Sequence, residues 1–244
     1  MPFSPQTIDF LTMNRLNDSK LWFNEHKDDY RRFVAEPFRE FTEKLLPEMQ
    51  KIDPLINSVR ISRIYRDARY SRGKSVFREN MWCTFGRTRE LYYSLPCFYF
   101  DISANGFEYG CGFYEPARET MDAMREMIKG DSPLYIAAAD AFSSQSVFEL
   151  YGDVYKRNHF PDQSEEKCLW LNRKNIGLTA LSTDWYMLFS DRLADKIAAD
   201  IRQVIPVYDM LLAACEAGAK KEGKMRFPAC GKRIFMNIVF MTTC

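Results

Sequence analysis

Apolar side chains in the first third of the chain recur at intervals of three and four residues. Between residues 28 and 49 this spacing marks one face of an amphipathic helix. Pro37 lies inside the stretch, so the helix is expected to kink there or to restart with Pro37 in its first turn. A shorter amphipathic stretch, residues 7–16, is ended by Asn17-Asp18, and Ser19 can cap the next turn. The apolar positions of the longer helix are Tyr30, Phe33, Val34, Phe38, Phe41, Leu45 and Met49.

The middle third consists of β-branched and aromatic runs separated by turn residues, which predicts strands. These runs cover residues 58–65, 81–85, 91–103 and 107–114. In FYFDISANGFEYGCGFY, Asn105-Gly106 can adopt the positive φ angles of a two-residue hairpin turn. Gly110 and Gly112 suggest a bulge or a close approach by another element. Short connections of this kind predict an antiparallel sheet.

Helical spacing returns after the hairpin. Pro116 begins one predicted helix and Gly130 ends it, with its methionines on one face. A second helix is predicted from Ser132-Pro133 to about residue 142, and a last one from 190 to 218, which Pro206 bends or divides. Residues 146–150 and 176–181 are possible strands on either side of a short helix at 165–171.

The predicted fold class is therefore α+β, with a central antiparallel β-sheet and N-terminal and C-terminal helices packed on it. Residues 1–218 are expected to form a single domain. It is helical over 1–50, rich in strands over 57–115 and rich in helices over 116–218. The tail, residues 219–244, has no period that places it.

The composition indicates a globular protein without a membrane segment. Hydrophobic residues make up 46%, charged residues 27% and aromatic residues 15%, and no apolar run approaches the roughly 20 residues of a spanning helix. Seven cysteines without a C-x-x-C pair suit a reducing interior, so we expect a cytoplasmic protein. His26 and His159 lack metal-ligand spacing, and neither a metal nor a cofactor is expected.

Positive charge is concentrated in one segment of a chain whose net charge is +1. Residues 60–80 read RISRIYRDARYSRGKSVFREN, with seven basic side chains against Asp67 and Glu79. If residues 58–65 form a strand, each face carries an aliphatic residue and an arginine, so at least one arginine should be partly buried. Such an arginine needs a carboxylate partner. The candidates are Asp67, Asp101, Glu108 and Glu115.

Two interpretations of this segment remain open. The arginines form internal ion pairs, or those in the loop after Tyr65 exceed the acids in reach and bind an external phosphate or carboxylate. Interleaved aromatic side chains could stack on a base or sugar. The GKS tripeptide lacks the first glycine of a phosphate loop. The predicted ligand-binding residues are Arg63, Arg66, Asp67, Arg69, Tyr70, Ser71, Lys74 and Arg78, with Tyr114 and Glu115 after the hairpin.

The same segment carries a resemblance to a known family. RIYRDARYSRGKSVFR, preceded by LNDSKLWFNEHKDDY, resembles the bacterial and fungal proteins called domain of unknown function 2461. The resemblance covers about residues 10–207 and implies that the fold continues through the C-terminal helices, but it implies no activity. Val76-Phe77 and Arg78-Glu79 depart from the usual Pro-Tyr and Lys-Thr pairs. The matching residues are Asn17, Trp22, Phe23, Lys27, Tyr30, Arg63, Arg66, Asp67, Arg69, Tyr70, Ser71, Lys74, Gly110, Gly112, Pro116, Met124 and Arg125.

Three functions follow from these patterns. The first is binding of an anionic small molecule or nucleotide, bearing phosphate, at residues 60–78. The second is a nucleic-acid-binding module without catalysis. The third is a structural or protein-interaction domain whose arginines are internally paired. Whether the protein is an enzyme is not decided by its sequence. Asp67 is expected to position arginines and Glu115 to be an ordinary first-turn acid.

Overall fold

A computed structural model describes residues 2–66, 75–88 and 95–222. Asp67, Arg69, Tyr70, Ser71 and Lys74 of the predicted site, and the tail beyond residue 222, lie outside the described residues. The helices are α1 (Pro5–Asn17), α2 (Lys20–Glu25), α3 (Lys27–Tyr30), α4 (Glu36–Ile52), α5 (Arg118–Lys129), α6 (Pro133–Ser143), α7 (Glu165–Leu171), α8 (Trp185–Leu188), α9 (Leu193–Arg202) and α10 (Ile205–Glu222). The strands are β1 (Ser58–Ile61), β2 (Asn80–Gly86), β3 (Cys97–Ser103), β4 (Gly106–Gly112), β5 (Glu149–Tyr151) and β6 (Gly177–Ser182).

The six strands form one antiparallel sheet in the order β1-β2-β3-β4-β6-β5. The hairpin of β3 and β4 lies at its centre. The chain leaves β4 through α5 and α6, forms the edge strand β5, and then returns through α7 to place β6 between β4 and β5. The predicted α+β class with a central antiparallel sheet is confirmed.

One face of the sheet, the inner face, packs against helices. Alternate residues of each central strand are buried there, because side chains in a strand point to opposite faces in turn. Phe100 contacts three phenylalanine rings of the N-terminal region, and Phe98 stacks on Tyr208 of α10 with ring centroids 4.5 Å apart. The buried side chains are Met81, Cys83, Phe85, Phe98, Phe100, Ile102, Phe107, Tyr109 and Cys111.

The opposite face, which we call the outer face, carries polar and aromatic side chains. Trp82, Tyr99, Asp101 and Glu108 are half-buried there and stand outside the described hydrophobic core. The strand register places them in rows, with Trp82 opposite Asp101 and Asp101 opposite Glu108. Leu181 ends that row on β6 and is 76% exposed, so this end of the face is open to solvent.

The glycines of β4 are explained by the close approach of β6. A Cβ at Gly110 would lie 1.8 Å from the carbonyl oxygen of Leu178, and the register through this region is continuous, without a bulge. The predicted hairpin is confirmed, but its turn lies one residue earlier than expected. Ser103 pairs with Gly106, so Ala104-Asn105 form the loop, and Gly106 next to it has a positive φ, of 147°.

The helical predictions are mostly confirmed. A π-helical turn, Arg31–Ala35, precedes α4, and Pro37 lies in the first turn of that helix, where its missing N–H is tolerated. The long C-terminal helix is divided near Pro206 into α9 and α10, and α10 continues to Glu222. Among the described residues, no helix combines the length and apolar character needed to cross a bilayer.

A buried ion pair connects three parts of the fold. Arg87, just after β2, donates two hydrogen bonds to Asp53, just after α4, at 2.8 and 3.1 Å. The hydroxyl of Tyr208 in α10 donates to the same carboxylate at 2.8 Å. The side chains of Arg87 and Asp53 are only 4% and 5% exposed. Because each charge is compensated inside the core, this network fixes the sheet relative to helices from both ends of the chain.

Candidate functional site

The described parts of the arginine-rich segment, residues 62–66 and 75–79, form a paired extension of the sheet, which we call the arginine arm. The N–H of Ser62 still donates to Trp82, as a continuation of the β1–β2 pairing. Further out, Tyr65 and Phe77 form a β-bridge, and the N–H groups of Arg66 and Arg78 donate across the arm at 3.0 and 2.8 Å. The strand predicted over 58–65 is therefore β1 followed by one side of this arm.

Asp18 fixes the returning side of the arm. Its carboxylate accepts hydrogen bonds from the Ser75 hydroxyl at 2.7 Å and from the N–H groups of Val76 and Phe77 at 3.2 and 3.1 Å. Burial alone would raise the pKa of Asp18, but these hydrogen bonds and the charge of Arg66 lower it. Asp18 adopts a left-handed conformation with φ of 42°, which Asp tolerates better than most residues.

Aromatic rings connect the same two segments. The Phe23 ring of α2 lies 5.3 Å from Tyr65 and 5.1 Å from Phe77, centroid to centroid. Tyr65 and Phe77 are themselves 4.8 Å apart. Residues 16–23 and the described parts of the arginine-rich segment, 63–66 and 75–78, are far apart in sequence but thus form one structural unit.

Arg66 has a structural role within this unit. Its Nε donates to the carbonyl of Phe77 at 2.8 Å, and its guanidinium lies 3.5 Å from the Glu79 carboxylate. Glu79 also pairs with Arg15 of α1 at 3.6 Å. The internal-pairing interpretation is therefore correct for Arg66.

The other described arginines of the segment differ from Arg66. Arg60 and Arg63 are both exposed, so the expectation that a strand arginine would be partly buried is wrong for these two. The reason is that Arg60 lies in β1, the edge strand of the sheet, and that Arg63 lies beyond the end of this strand. Arg78 is half-buried, and its Nε is buried without a hydrogen-bond partner. None of the three forms an ion pair within 4 Å with a carboxylate of the described chain.

A carboxyl pair lies next to Arg78 on the outer face. Asp101 and Glu108 are direct cross-strand partners, a position that brings Cβ atoms to within about 5 Å. The Asn80 amide donates to Asp101. Burial raises the pKa of Asp101 to about 7. The Asn80 hydrogen bond opposes this rise, the charge of Glu108 adds to it, and the positive charge of Arg78 opposes it. Asp101 can therefore gain or lose a proton near neutral pH.

Aromatic side chains flank this pair on the outer face. Trp82 shares its row, and Tyr99 lies in the next row, opposite Gly110. Burial raises the pKa of Tyr99, so its hydroxyl stays protonated. Asn80, Trp82 and Tyr99 were not among the predicted site residues. Their signal was present in the alternation of β2, where Trp82 falls between the buried Met81 and Cys83.

Tyr114 and Glu115 lie away from Arg78. Both residues follow the last residue of β4, at one end of the sheet. Arg78 comes just before β2, at the opposite end, where the β3–β4 hairpin turn lies. The length of β4, roughly 20 Å at a strand's rise per residue, separates the two ends. Tyr114 is 79% exposed, and Glu115 is exposed too. The structure therefore does not bring these two together with the arm.

A separate groove of about 410 Å³ lies between α5 and the segment before α7. Its charged residues are satisfied internally. Arg125 donates to Asp122, to the Tyr155 hydroxyl and to two backbone carbonyls, and Lys129 pairs with Glu126 at 3.1 Å. Arg125 of the Met-Arg pair therefore has a structural role, because its hydrogen bonds connect α5 to the backbone of residues 171–173. No cluster of metal-ligating side chains occurs in the described part of the chain.

One protein family matches most of the chain. The model of the family described as conserved hypothetical protein (DUF2461) matches residues 6–210. The chain belongs to the DUF2461 family. A search among curated proteins found no match. The matched region of this DUF2461 protein begins in α1 and ends in α10. It therefore contains Asp18, which lies between α1 and α2, the arginine arm and all six strands of the sheet. The resemblance identified from the sequence is confirmed.

Proposed function

We propose that this DUF2461 protein binds an anionic, phosphate-bearing small molecule where the arginine arm meets the outer face of the sheet. The proposal rests mainly on Arg78, whose buried Nε has no hydrogen-bond partner. A guanidinium without a carboxylate partner is costly to hold half-buried, and its other N–H groups can bind a phosphate oxygen well.

The charges of the arm support the same proposal. Of the four described arginines at positions 60–78, Arg66 alone has a described carboxylate partner, and it shares Glu79 with Arg15. Arg63 and Arg78 are attached to the fixed base of the arm, and neither forms an ion pair within 4 Å with a described carboxylate. The proposed site also includes Asp67, Arg69, Tyr70, Ser71 and Lys74, which follow or precede this base in the chain.

The outer face supplies what a phosphate-bearing metabolite needs besides charge. Trp82 and Tyr99 offer aromatic surface for a base or sugar ring, and Asn80 and the Tyr99 hydroxyl offer hydrogen bonds. An inorganic ion would use the arginines alone, whereas a nucleotide or sugar phosphate would use both. The proposed function therefore predicts tighter binding of a phosphorylated nucleoside or sugar than of phosphate itself.

Thermal denaturation with added ligands tests the proposal. The probes are inorganic phosphate, AMP, glucose 6-phosphate and the uncharged adenosine and glucose. A ligand that binds only the folded state raises the melting temperature, and the shift grows with its concentration. We expect shifts from the phosphorylated probes and none from the neutral ones.

Variants assign the binding to the arm. Arg78→Met removes the charge and keeps most of the aliphatic stem, so a lost charge-assisted hydrogen bond should weaken binding by about tenfold to a hundredfold. Arg157→Met, at an exposed arginine far along the chain, is the matched control and should bind like the wild type. A melting temperature that stays unchanged with every probe would refute the proposal. Retention on single-stranded oligonucleotides that falls steeply with salt would favour a nucleic-acid ligand instead.

A further inference from the structure

The outer face poses an electrostatic problem for an anion. Arg78 contributes one positive charge, while Asp101 and Glu108 contribute two negative charges when both are ionised. Their sum is negative, and an anion placed beside them would be repelled by the nearer carboxylate. With one shared proton the three groups are neutral, and the protonated carboxyl becomes a hydrogen-bond donor.

We propose that an anion bound at this site takes up one proton together with it, held by the Asp101–Glu108 pair, so that the pair donates a hydrogen bond to the anion. This inference rests on the proposed function and deepens it, because it specifies how a site containing two acids accepts an anion.

The geometry carries the inference. Asp101 and Glu108 are opposite each other on neighbouring strands in the middle of the sheet, so the charge of Glu108 adds to the cost of ionising Asp101. Asn80 holds Asp101 through its amide, which fixes the carboxyl on the outer face. Arg78, with its unpartnered Nε, acts on the same carboxyl from the arm.

The groups around Asp101 leave the pair as the place where the proton binds. The arm contributes the guanidinium of Arg78, and β4 contributes the carboxyl of Glu108. Tyr99, on the strand of Asp101, has a raised pKa because of burial and stays neutral. Cys83 of β2 also has a raised pKa because of burial and stays a thiol. The pKa of Asp101, raised to about 7 mainly by burial, is in the range where an arriving anion shifts its protonation.

Calorimetric titration of the full chain with sulfate and with inorganic phosphate, between pH 5.5 and 8.5, tests the inference. Sulfate keeps its charge over this range, so any pH dependence with sulfate belongs to the protein. Repeating the titration in two buffers of different ionisation enthalpy counts the protons. We expect uptake of about one proton per anion at pH 8.5, little uptake at pH 5.5, and an affinity that falls about tenfold per pH unit above 7.

Asp101→Asn is the decisive variant, because an amide donates a hydrogen bond at every pH. It should abolish the proton uptake and bind sulfate at pH 8.5 at least as tightly as the wild type. Asp162→Asn, at an exposed aspartate, is the matched control and should keep the wild-type pH profile. Should Asp101→Asn fail to fold by circular dichroism, Asp101→Ser replaces it and should likewise abolish the proton uptake, because a hydroxyl does not titrate in this pH range.

The outcomes separate the two proposals. Anion binding with no proton uptake and a flat pH profile overturns the inference and leaves the proposed function standing. Proton-linked binding that is the same in Asp101→Asn also overturns it, because the proton is then held elsewhere. If neither anion binds at any pH, and AMP and glucose 6-phosphate leave the melting temperature unchanged, both proposals fail together.

Discussion

The carboxylate of Asp18 accepts a hydrogen bond from the backbone N–H of Phe77 at 3.1 Å, although 59 positions separate them in the chain. The same carboxylate binds Val76 and Ser75. One acid at the corner between α1 and α2 therefore sets the position of the returning side of the arginine arm. The arm in turn positions Arg78 beside the sheet, so the geometry of the proposed site depends on Asp18.

Asp18→Asn should destabilise the protein. Asn tolerates the left-handed backbone but replaces one acceptor oxygen with a donor, so at least one of the three hydrogen bonds is lost. We expect a loss of about 1–3 kcal/mol in the free energy of unfolding and faster hydrogen exchange at Val76 and Phe77. Urea denaturation and exchange measured by NMR check this. Asp9→Asn, exposed on the same α1 helix, should change neither quantity.

The lowered pKa of Asp18 gives this contribution a pH dependence. The stabilisation is fully present above the pKa that Asp has in the unfolded chain. It is lost as pH falls through the lower folded-state pKa. The difference in stability between the wild type and Asp18→Asn should therefore shrink on acidification below about pH 4. A difference that grows in acid would contradict the role assigned to the Asp18 carboxylate.

Asp101→Asn should have the opposite effect on stability. Burial raises the pKa of Asp101 to about 7, so folding disfavours its ionised form. The unfolded chain loses this proton near pH 4, so the wild type loses up to about 1.4 kcal/mol per pH unit between pH 4 and 7. Above pH 7 the penalty is complete and constant. The variant should be more stable than the wild type at pH 8 by about 2–4 kcal/mol, and the two should converge near pH 4.

Chemical denaturation at pH 4.5, 6 and 8 measures this difference directly. Asp162→Asn, at an exposed site, should follow the wild type at each pH. Equal stabilities of the wild type and Asp101→Asn at pH 8 would mean that Asp101 ionises in the folded protein as easily as in water.

The elements that local spacing determines could be predicted from the sequence. The helical face of residues 28–49, the restart at Pro37 and the division near Pro206 depend on side chains within a few turns of one another. The β3–β4 hairpin likewise needs only its own two strands. Its turn was misplaced by one residue because Asn-Gly favours a turn at those two positions, whereas the register pairs Ser103 with Gly106.

The candidate site depended on contacts that local spacing does not contain. The arm was predicted as a strand followed by a loop, because nothing near Tyr65 in sequence indicates that Phe77 pairs with it. That pairing is held by Asp18 and Phe23, which come from the N-terminal helices. Asp101 and Glu108 were candidate partners for an arginine, but only the register of the sheet makes them neighbours of each other and of Asn80.

Gly110→Ala should damage the sheet where β4 meets β6. A Cβ at this position would lie 1.8 Å from the carbonyl oxygen of Leu178, so the backbone of one strand must move. We expect a loss of about 3 kcal/mol or more, beyond the range of ordinary surface substitutions. Gly130→Ala is the control, because its Cβ would meet its nearest atom at 3.3 Å and its φ is −86°. Thermal denaturation of both variants compares them, and a Gly110→Ala protein as stable as the wild type would contradict the strand packing described.

Arg87→Met should be the most destabilising of the charge substitutions, because it leaves the Asp53 carboxylate buried without its cation. Breaking a buried pair in this way costs about 3–5 kcal/mol, whereas Arg202→Met, at a half-exposed pair with Glu48, should cost less than about 1 kcal/mol. Burial and the charge of Asp53 raise the pKa of Asp209 to about 6, and the positive charge of Arg87 opposes this rise. Removing Arg87 should raise that pKa further, which carboxyl NMR titration would detect.

A double variant, Arg87→Met with Asp53→Leu, should recover much of the stability, since the Asp53 carboxylate is then no longer buried without its cation. If the double variant were as unstable as Arg87→Met alone, the cost would lie in lost packing or in the Tyr208 hydroxyl that loses its acceptor, and not in the stranded carboxylate.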